Sequence, residues 1–199
     1  MATAARRHPP QAIRDAIIEA TIRLIGRDGV DGVTHRAVAL EAGVSLSSTT
    51  YHYVSKDEIV TEALRRVASV EIERIARDAE RLADGAADVR AIARALAAWL
   101  AEQMQDDGLL HARAGYHLQL EAGKRPELRA INREWAVAVQ GLAEGVLHAA
   151  GSPRPRTDAR ILANAIDGLR LEAVTAPRPG LSRRLAPVIE RLLAALTAP

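Results

Sequence analysis

The sequence predicts an all-α chain of about nine helices. Three observations carry this. Alanine and leucine abound and phenylalanine is absent. β-Branched residues seldom alternate with polar ones, so no segment shows the period of two of a half-buried strand. Apolar residues instead recur at steps of three and four, between breaks rich in glycine and proline.

The elements follow in order. Helix one runs from about Pro10 to Arg27, with Pro9 and Pro10 suited to its entry and Gly29 to its stop. Ile13, Ile17, Ala20 and Leu24 fall on one face. Short helices follow near Thr34 to Ala42 and Ser47 to Val54. The next is long, Lys56 to Leu82, and Ser55 and Glu58 have the spacing of a capping box at its start. Its apolar line holds Ile59, Ala63, Val67, Ile72 and Ile75. Asp84-Gly85 breaks the pattern, and Asp88 to Gln105 resumes it with Ile92, Leu96, Trp99 and Leu100. Past the Asp106-Asp107-Gly108 turn come Leu109 to Ala122 and Glu127 to Ala150. Gly151 to Pro155 is a loop by composition. Helices near Asp158 to Thr175 and Arg184 to Leu196 complete the chain.

Composition narrows the function classes. The 199 residues include no cysteine, so there is no disulfide framework, thiolate nucleophile or Cys-based zinc site. The charged start MATAARRHPP lacks the apolar core of a signal peptide, since Arg14, Asp15 and Glu19 interrupt the next stretch. No uncharged apolar run is long enough to span a membrane, and a cytosolic location is expected. The formal net charge is only +2, with Lys56 and Lys124 as the only lysines. Bulk charge therefore does not point to nucleic acid; a local motif must.

That motif is Thr34 to Ile59, THRAVALEAGVSLSSTTYHYVSKDEI. Thr34 is a good N-cap. Ala37, Val38, Ala42 and Val44 can pack inward, and Gly43 supplies a permissive inter-helix turn. Then comes a polar run: Ser45, Ser47, Ser48, Thr49, Thr50, Tyr51 and His52. Small hydroxyls are poor interior helix formers, but short hydroxyls and backbone N–H groups approach base edges and phosphates closely. Tyr51 offers a hydroxyl to phosphate. Lys56 adds a cation at a helix N-terminus, which suits the same group. Arg36 either reaches phosphate or lies on a solvated face. Arg6 and Arg7 either follow the DNA backbone or form a solvated tail.

Gly43-Val44-Ser45, then Thr50-Tyr51-His52-Tyr53-Val54, then Ser55-Lys56-Asp57-Glu58 resembles the N-terminal signature of TetR-type regulators. That signature reads GVS, a short spacer, LYxYF and a Lys opening the fourth helix. The resemblance extends over about Ile13 to Leu64. In this alignment the spacer holds one residue more than the commonest form, Thr50 stands for the usual Leu, and Val54 for the usual Phe. A subset of the family carries a similar Ser-Thr-Thr-Tyr segment. The resemblance implies a DNA-binding part of three helices and a ligand-binding, dimerising core. The expected boundaries are an arm over 1–9, a DNA-binding domain over 10–56 and the core over 57–199. The expected DNA contacts are Thr34, Arg36, Ser45, Leu46, Ser47, Ser48, Thr49, Thr50, Tyr51, His52 and Lys56, with Tyr53 packed inside.

In the core, Trp99, Gln103, His111, Tyr116, His117, Gln119, Trp135, Asn164, Asp167 and Arg170 lie on otherwise apolar helices and are candidates to line a ligand cavity. Each also has an ordinary reading as packing or surface. His111 and His117, six apart, do not meet on one helix as metal ligands, and no HExxH, phosphate-loop or GxSxG motif occurs. No cofactor is expected. The last two helices carry wide apolar stripes, Ile161, Ala165, Leu169 and Ala173 on one and Leu185, Val188, Ile189, Leu192 and Leu196 on the other. They either bury these within one subunit or build a four-helix bundle across a twofold axis; the resemblance favours the dimer. The expectation is a homodimeric repressor released from double-stranded operator DNA by a small molecule. The alternative is an all-α small-molecule-binding protein or enzyme with a purely structural N-terminal hairpin, which no catalytic constellation supports.

Overall fold

The structure is a computed structural model that describes residues 10–84, 88–105 and 107–198. The expected arm over 1–9, with Arg6, Arg7 and Pro9, lies outside the described residues, as do Gly85 and Asp106. The described residues form nine α-helices and no strand. They are α1 (Pro10–Asp28), α2 (His35–Ala42), α3 (Leu46–His52), α4 (Lys56–Asp84) and α5 (Val89–Glu102), then α6 (Gly108–Lys124), α7 (Pro126–Ala149), α8 (Pro155–Thr175) and α9 (Leu181–Leu196). A single 3-10 turn, Val30–Gly32, which periodicity does not suggest, links α1 to α2. Among the described residues no helix is long and apolar enough to cross a membrane.

Local chemistry sets the helix ends. Gly29 stops α1 at a positive φ of 75° with extended ψ, a conformation glycine adopts most readily, and its N–H donates to the Ile25 carbonyl at 2.9 Å. Ser55 Oγ accepts from Glu58 N at 3.2 Å, while the Glu58 carboxylate accepts from Val54 N at 2.8 Å, so α4 starts in a capping-box arrangement. Asp88 caps α5 through Ala91 N at 2.7 Å. α6 and α8 begin earlier than periodicity places them, at Gly108 and at Pro155, where proline suits the first turn.

Tertiary packing joins the two parts closely. α1 packs on α2, α4 and α6; α4 packs chiefly on α7, and α5 on α9. Ile17, Ile22 and Ile25 of α1 and Ile59 and Leu64 of α4 are fully buried, in one core with Leu118, Leu128 and Leu147. At Gly26 the α1 backbone lies so close to α6 that a β-carbon there would sit 2.3 Å from the Leu110 carbonyl oxygen. α9 buries Leu185, Ile189 and Leu193, whereas Val188 stays half exposed. On α8 Ala173 is buried and Ile161 is 51% exposed. The apolar stripes of both helices thus leave part of their width outside the subunit.

Candidate nucleic-acid interface and effector cavity

α2 and α3 make a helix-turn-helix. Thr34 Oγ1 accepts from Ala37 N at 3.1 Å and starts α2. Gly43 ends it at φ 66° in the left-handed region, where L side chains are strained. Ser45 then caps α3 by accepting from Ser48 N at 3.0 Å. The unit is braced by charge: Arg23 and Arg27 of α1 donate to the two oxygens of Glu41 on α2 at 2.9 and 3.2 Å. These bonds, Arg23's foremost, hold the Glu41 carboxyl below its ordinary range.

The hydroxyls of α3 are spent largely on α3 itself. Ser45 Oγ lies 2.8 Å from both Ser47 Oγ and Ser48 Oγ, and Thr50 Oγ1 donates to the Leu46 and Ser47 carbonyls at 3.2 Å. Such local bonds let a run of weak helix formers hold a helix. Leu46, Ser47, Thr50 and Tyr51 share the exposed face, with Tyr51 84% exposed; Ser45, Thr34 and Arg36 are exposed beside it. Ser48 and His52 are half-buried, and the His52 ring meets Tyr51 edge-on at 5.2 Å between centroids. Lys56 Nζ donates to the Asp31 carbonyl at 3.3 Å, tying the start of α4 to the loop before α2.

Thr49 is a correction. It is fully buried, and its hydroxyl donates to the Leu46 carbonyl at 2.8 Å, so it faces the small core and not the groove. Tyr53 is buried one turn later; its hydroxyl accepts from Arg14 Nε at 3.3 Å, and the Arg14 guanidinium lies 5.2 Å over its ring. Val54 is 93% exposed. The inward pair is therefore Thr49 and Tyr53, not Thr50 and Val54. Moved back by one residue, the GVS–LYxYF signature fits this packing with no additional spacer residue.

The core holds a partly open cavity of about 580 Å³ walled by α4, α5, α7 and α8, with Gln119 reaching it from α6. Trp99, Gln103, Gln119, Trp135, Asn164, Asp167 and Arg170, all candidates from the sequence, line it. His111, Tyr116 and His117 do not. His111 instead bridges the two parts of the chain: its Nε2 lies 3.6 Å from Glu19 Oε2 on α1, and its Nδ1 3.1 Å from the Asp107 carbonyl. The bond to Glu19 raises the imidazole above its ordinary pKa, and His111 holds Glu19 below its own. Tyr116 and His117 line a separate recess between α1, α6 and α8, of about 310 Å³. The Tyr116 hydroxyl donates to the Asp167 carbonyl and carboxylate at 3.1 Å, and burial pushes its phenol well above the usual range.

Glu71 is the lining residue that sequence reasoning misses. It is 3% exposed, on α4, hydrogen-bonded by Arg74. A signal exists: Ile59, Ala63, Val67, Glu71 and Ile75 follow at four-residue steps, so Glu71 is a charge inside an apolar stripe. Arg170 Nη2 reaches it from α8 at 3.5 Å. Among the described residues no group of three or more His, Asp or Glu side chains could hold a metal ion.

A capped helix-turn-helix with an exposed polar second helix, joined by one long helix to a helical core with a cavity, is the architecture of a DNA-binding transcriptional regulator. The chain belongs to the TetR family of bacterial regulators. The model for the TetR family of bacterial regulatory proteins matches residues 17–63, and that for the tetracyclin repressor-like C-terminal domain matches residues 77–199. The multidrug binding protein EbrR, solved with imidazole, is 34% identical, with a TM-score of 0.64 over 94% of this chain and 96% of that one. A TetR-family member from Streptomyces coelicolor A3 is also 34% identical, with a TM-score of 0.68 over 90% of this chain and 97% of its own. The nicotine-responsive transcriptional repressor HdnoR of Paenarthrobacter nicotinovorans is 31% identical over 121 residues. That match takes in 60% of this chain, which spans 59% of the length of this curated relative. TetR-family members are transcriptional regulators, not enzymes, which sets aside the enzyme alternative.

Proposed function

We propose that the chain acts as a homodimeric repressor that leaves its operator when a small molecule occupies the core cavity. Residues 10–56 act as the DNA-binding domain and 57–199 as the effector-binding and dimerising core. α3 enters the major groove with Leu46, Ser47, Thr50 and Tyr51 leading. Ser45, Ser48, His52, Thr34, Arg36 and Lys56 approach the flanking phosphates. Two copies read half-sites about 34–36 Å apart, one turn of B-DNA. The cavity residues Trp99, Gln103, Gln119, Trp135, Asn164 and Asp167 contact the effector.

One observation carries the coupling. α4 begins directly after the helix-turn-helix and, through Glu71 and Ile75, is also a wall of the cavity. A ligand that prefers one placement of α4 biases the DNA-binding unit by the difference in its affinity for the two placements, and by no more. Dimerisation through α8 and α9 is supported by the half-exposed Ile161 and Val188, apolar side chains that a second subunit would cover. Two of the relatives, a nicotine-responsive repressor and a multidrug binding protein, fit a ligand-released repressor.

The test is selection of bound duplexes from a random DNA pool, followed by a screen for compounds that release the selected sequence. A near-palindromic site bound by two subunits, and released by a compound whose binding changes cavity tryptophan emission, is the expected result. Tight specific binding by a monomer would refute the dimer. Tighter DNA binding by the ligand-bound protein would identify an activator or co-repressed regulator.

A further inference from the structure

The cavity's polar groups are unevenly satisfied. Its carboxylates have donors: Glu71 takes Arg74, and Asp167 takes the Tyr116 hydroxyl. Asp78, just behind Trp99, takes that residue's indole N–H at 2.9 Å. The donors opposite are not matched. Arg170 is 9% exposed, and its Nε and Nη2 have no hydrogen-bond partner; Nη2 has only the 3.5 Å approach to Glu71. Trp135 is 4% exposed, and its Nε1 has no partner either. These two residues share one wall: the Arg170 guanidinium lies 5.9 Å over the Trp135 ring and 5.8 Å over the Tyr116 ring. Stacking on two aromatic faces holds the guanidinium fork in place without using its in-plane N–H groups. Buried donors left unpaired are costly, so a ligand that supplies acceptors to them gains affinity.

We infer that the cavity selects an acidic amphipathic ligand, an aromatic or aliphatic body bearing one carboxylate whose oxygens accept from Arg170 and Trp135. This rests on the reading of the cavity as the effector site. The body lies among Ile75, Leu96, Leu100, Val139 and Leu142, in a space of about 580 Å³ that suits one small molecule. A planar fork paired with a carboxylate is the strongest match for the donor geometry, because both N–H groups and the charge are met at once. A cationic ligand would leave both donors unmatched and would have to displace Arg170 or Arg74 to reach Glu71.

The chain's two tryptophans, Trp99 and Trp135, both line the cavity, so intrinsic emission reports its occupancy. The test titrates three matched probes, 4-phenylbutyrate, 4-phenylbutanol and protonated 4-phenylbutylamine, by calorimetry and tryptophan emission. The carboxylate is expected to bind about 10- to 100-fold tighter than the other two, the range for hydrogen bonds to charged groups. Arg170→Met should bring the carboxylate down to the level of the alcohol and leave the alcohol unchanged. Equal binding of all three, tighter binding of the amine, or a carboxylate preference that survives Arg170→Met overturns the inference. If those probes still move tryptophan emission, the effector-cavity reading stands on its own. If none of the three binds, both readings fall. Should Arg170→Met lose its helical circular dichroism, Arg170→Lys and Trp135→Phe replace it; a preference undiminished in both overturns the inference.

Discussion

Gly26 sets how closely the DNA-binding part and the core approach, and replacing it tests that seam. In Gly26→Ala the new β-carbon meets Leu110 backbone atoms at 2.3–2.8 Å, where ordinary contact begins near 3.4 Å. No flexible side chain can yield there, so α1 and α6 must part by about 1 Å. Overpacking of this kind costs about 1–3 kcal/mol, offset by the ~0.5–1 kcal/mol that alanine gains over glycine within a helix. Backbone meeting backbone puts the overpacking cost in the upper half of its range, so the net loss is about 1–2.5 kcal/mol, which in a chain of this size lowers the melting temperature by about 2–10 °C. Thermal unfolding by circular dichroism measures it, at one protein concentration because dimerisation makes the midpoint concentration-dependent. Gly145→Ala on α7 is the control. A β-carbon there meets nothing within 4 Å, so the same substitution should stabilise by about 0.5–1 kcal/mol. A Gly26→Ala protein that melts at or above the parent would refute the close approach of α1 to α6.

Three further outcomes are expected from the same geometry. Tyr51→Ala should weaken operator binding by about 10-fold without altering thermal stability, and, because a phenol carries no charge, should leave the salt slope unchanged; unchanged affinity removes Tyr51 from the interface. Thr49→Val should do the reverse, costing about 1 kcal/mol of stability through the lost bond to Leu46 while operator affinity in filter binding stays within twofold. His111, raised by Glu19, contributes its share of stability fully below about pH 6.5, the unfolded imidazole value. That share is lost as pH rises through the higher folded value, so His111→Gln should flatten the fall in melting temperature between about pH 6 and 8. The half-exposed pair limits the effect to under about 1 kcal/mol, and a mutant with the parent's pH profile would assign no such role to the bridge.

The features legible in the sequence are those set by neighbours along the chain. Thr34, Gly43 and the Ser55–Glu58 box act within three or four residues, so their caps and turn can be read from spacing alone. Tyr53 is expected inside, but the family signature is aligned one residue late, on Thr50 and Val54, because a buried threonine looks, by composition, like its exposed neighbours; its burial comes from α3 packing back onto the small core. The cavity depends on contacts far apart in sequence. Trp99, Trp135 and Asp167 stand out as polar or aromatic residues on apolar helices, and so do His111 and Tyr116. The packing of α1 on α6 turns His111 to Glu19, while α6 and α8, through Gly115 and Arg170, hold Trp135 at the cavity. Glu71 is visible as a charge in an apolar stripe, but its place on the cavity wall follows only once Arg74 and Arg170 meet it.

The length of α4 has a mechanical consequence. From Glu71, at the cavity, to Lys56, beside the helix-turn-helix, the helix runs 15 residues, or about 22 Å at 1.5 Å per residue. A rigid rod of that length tilted by about 5° carries its tip about 2 Å, and in a twofold pair the tips move oppositely, changing their separation by about 4 Å against a groove repeat of about 34 Å. On the proposed release mechanism the amplification is geometric: sub-ångström crowding near Glu71 and Ile75 would become a mismatch of several ångströms at the operator, with no refolding of either end.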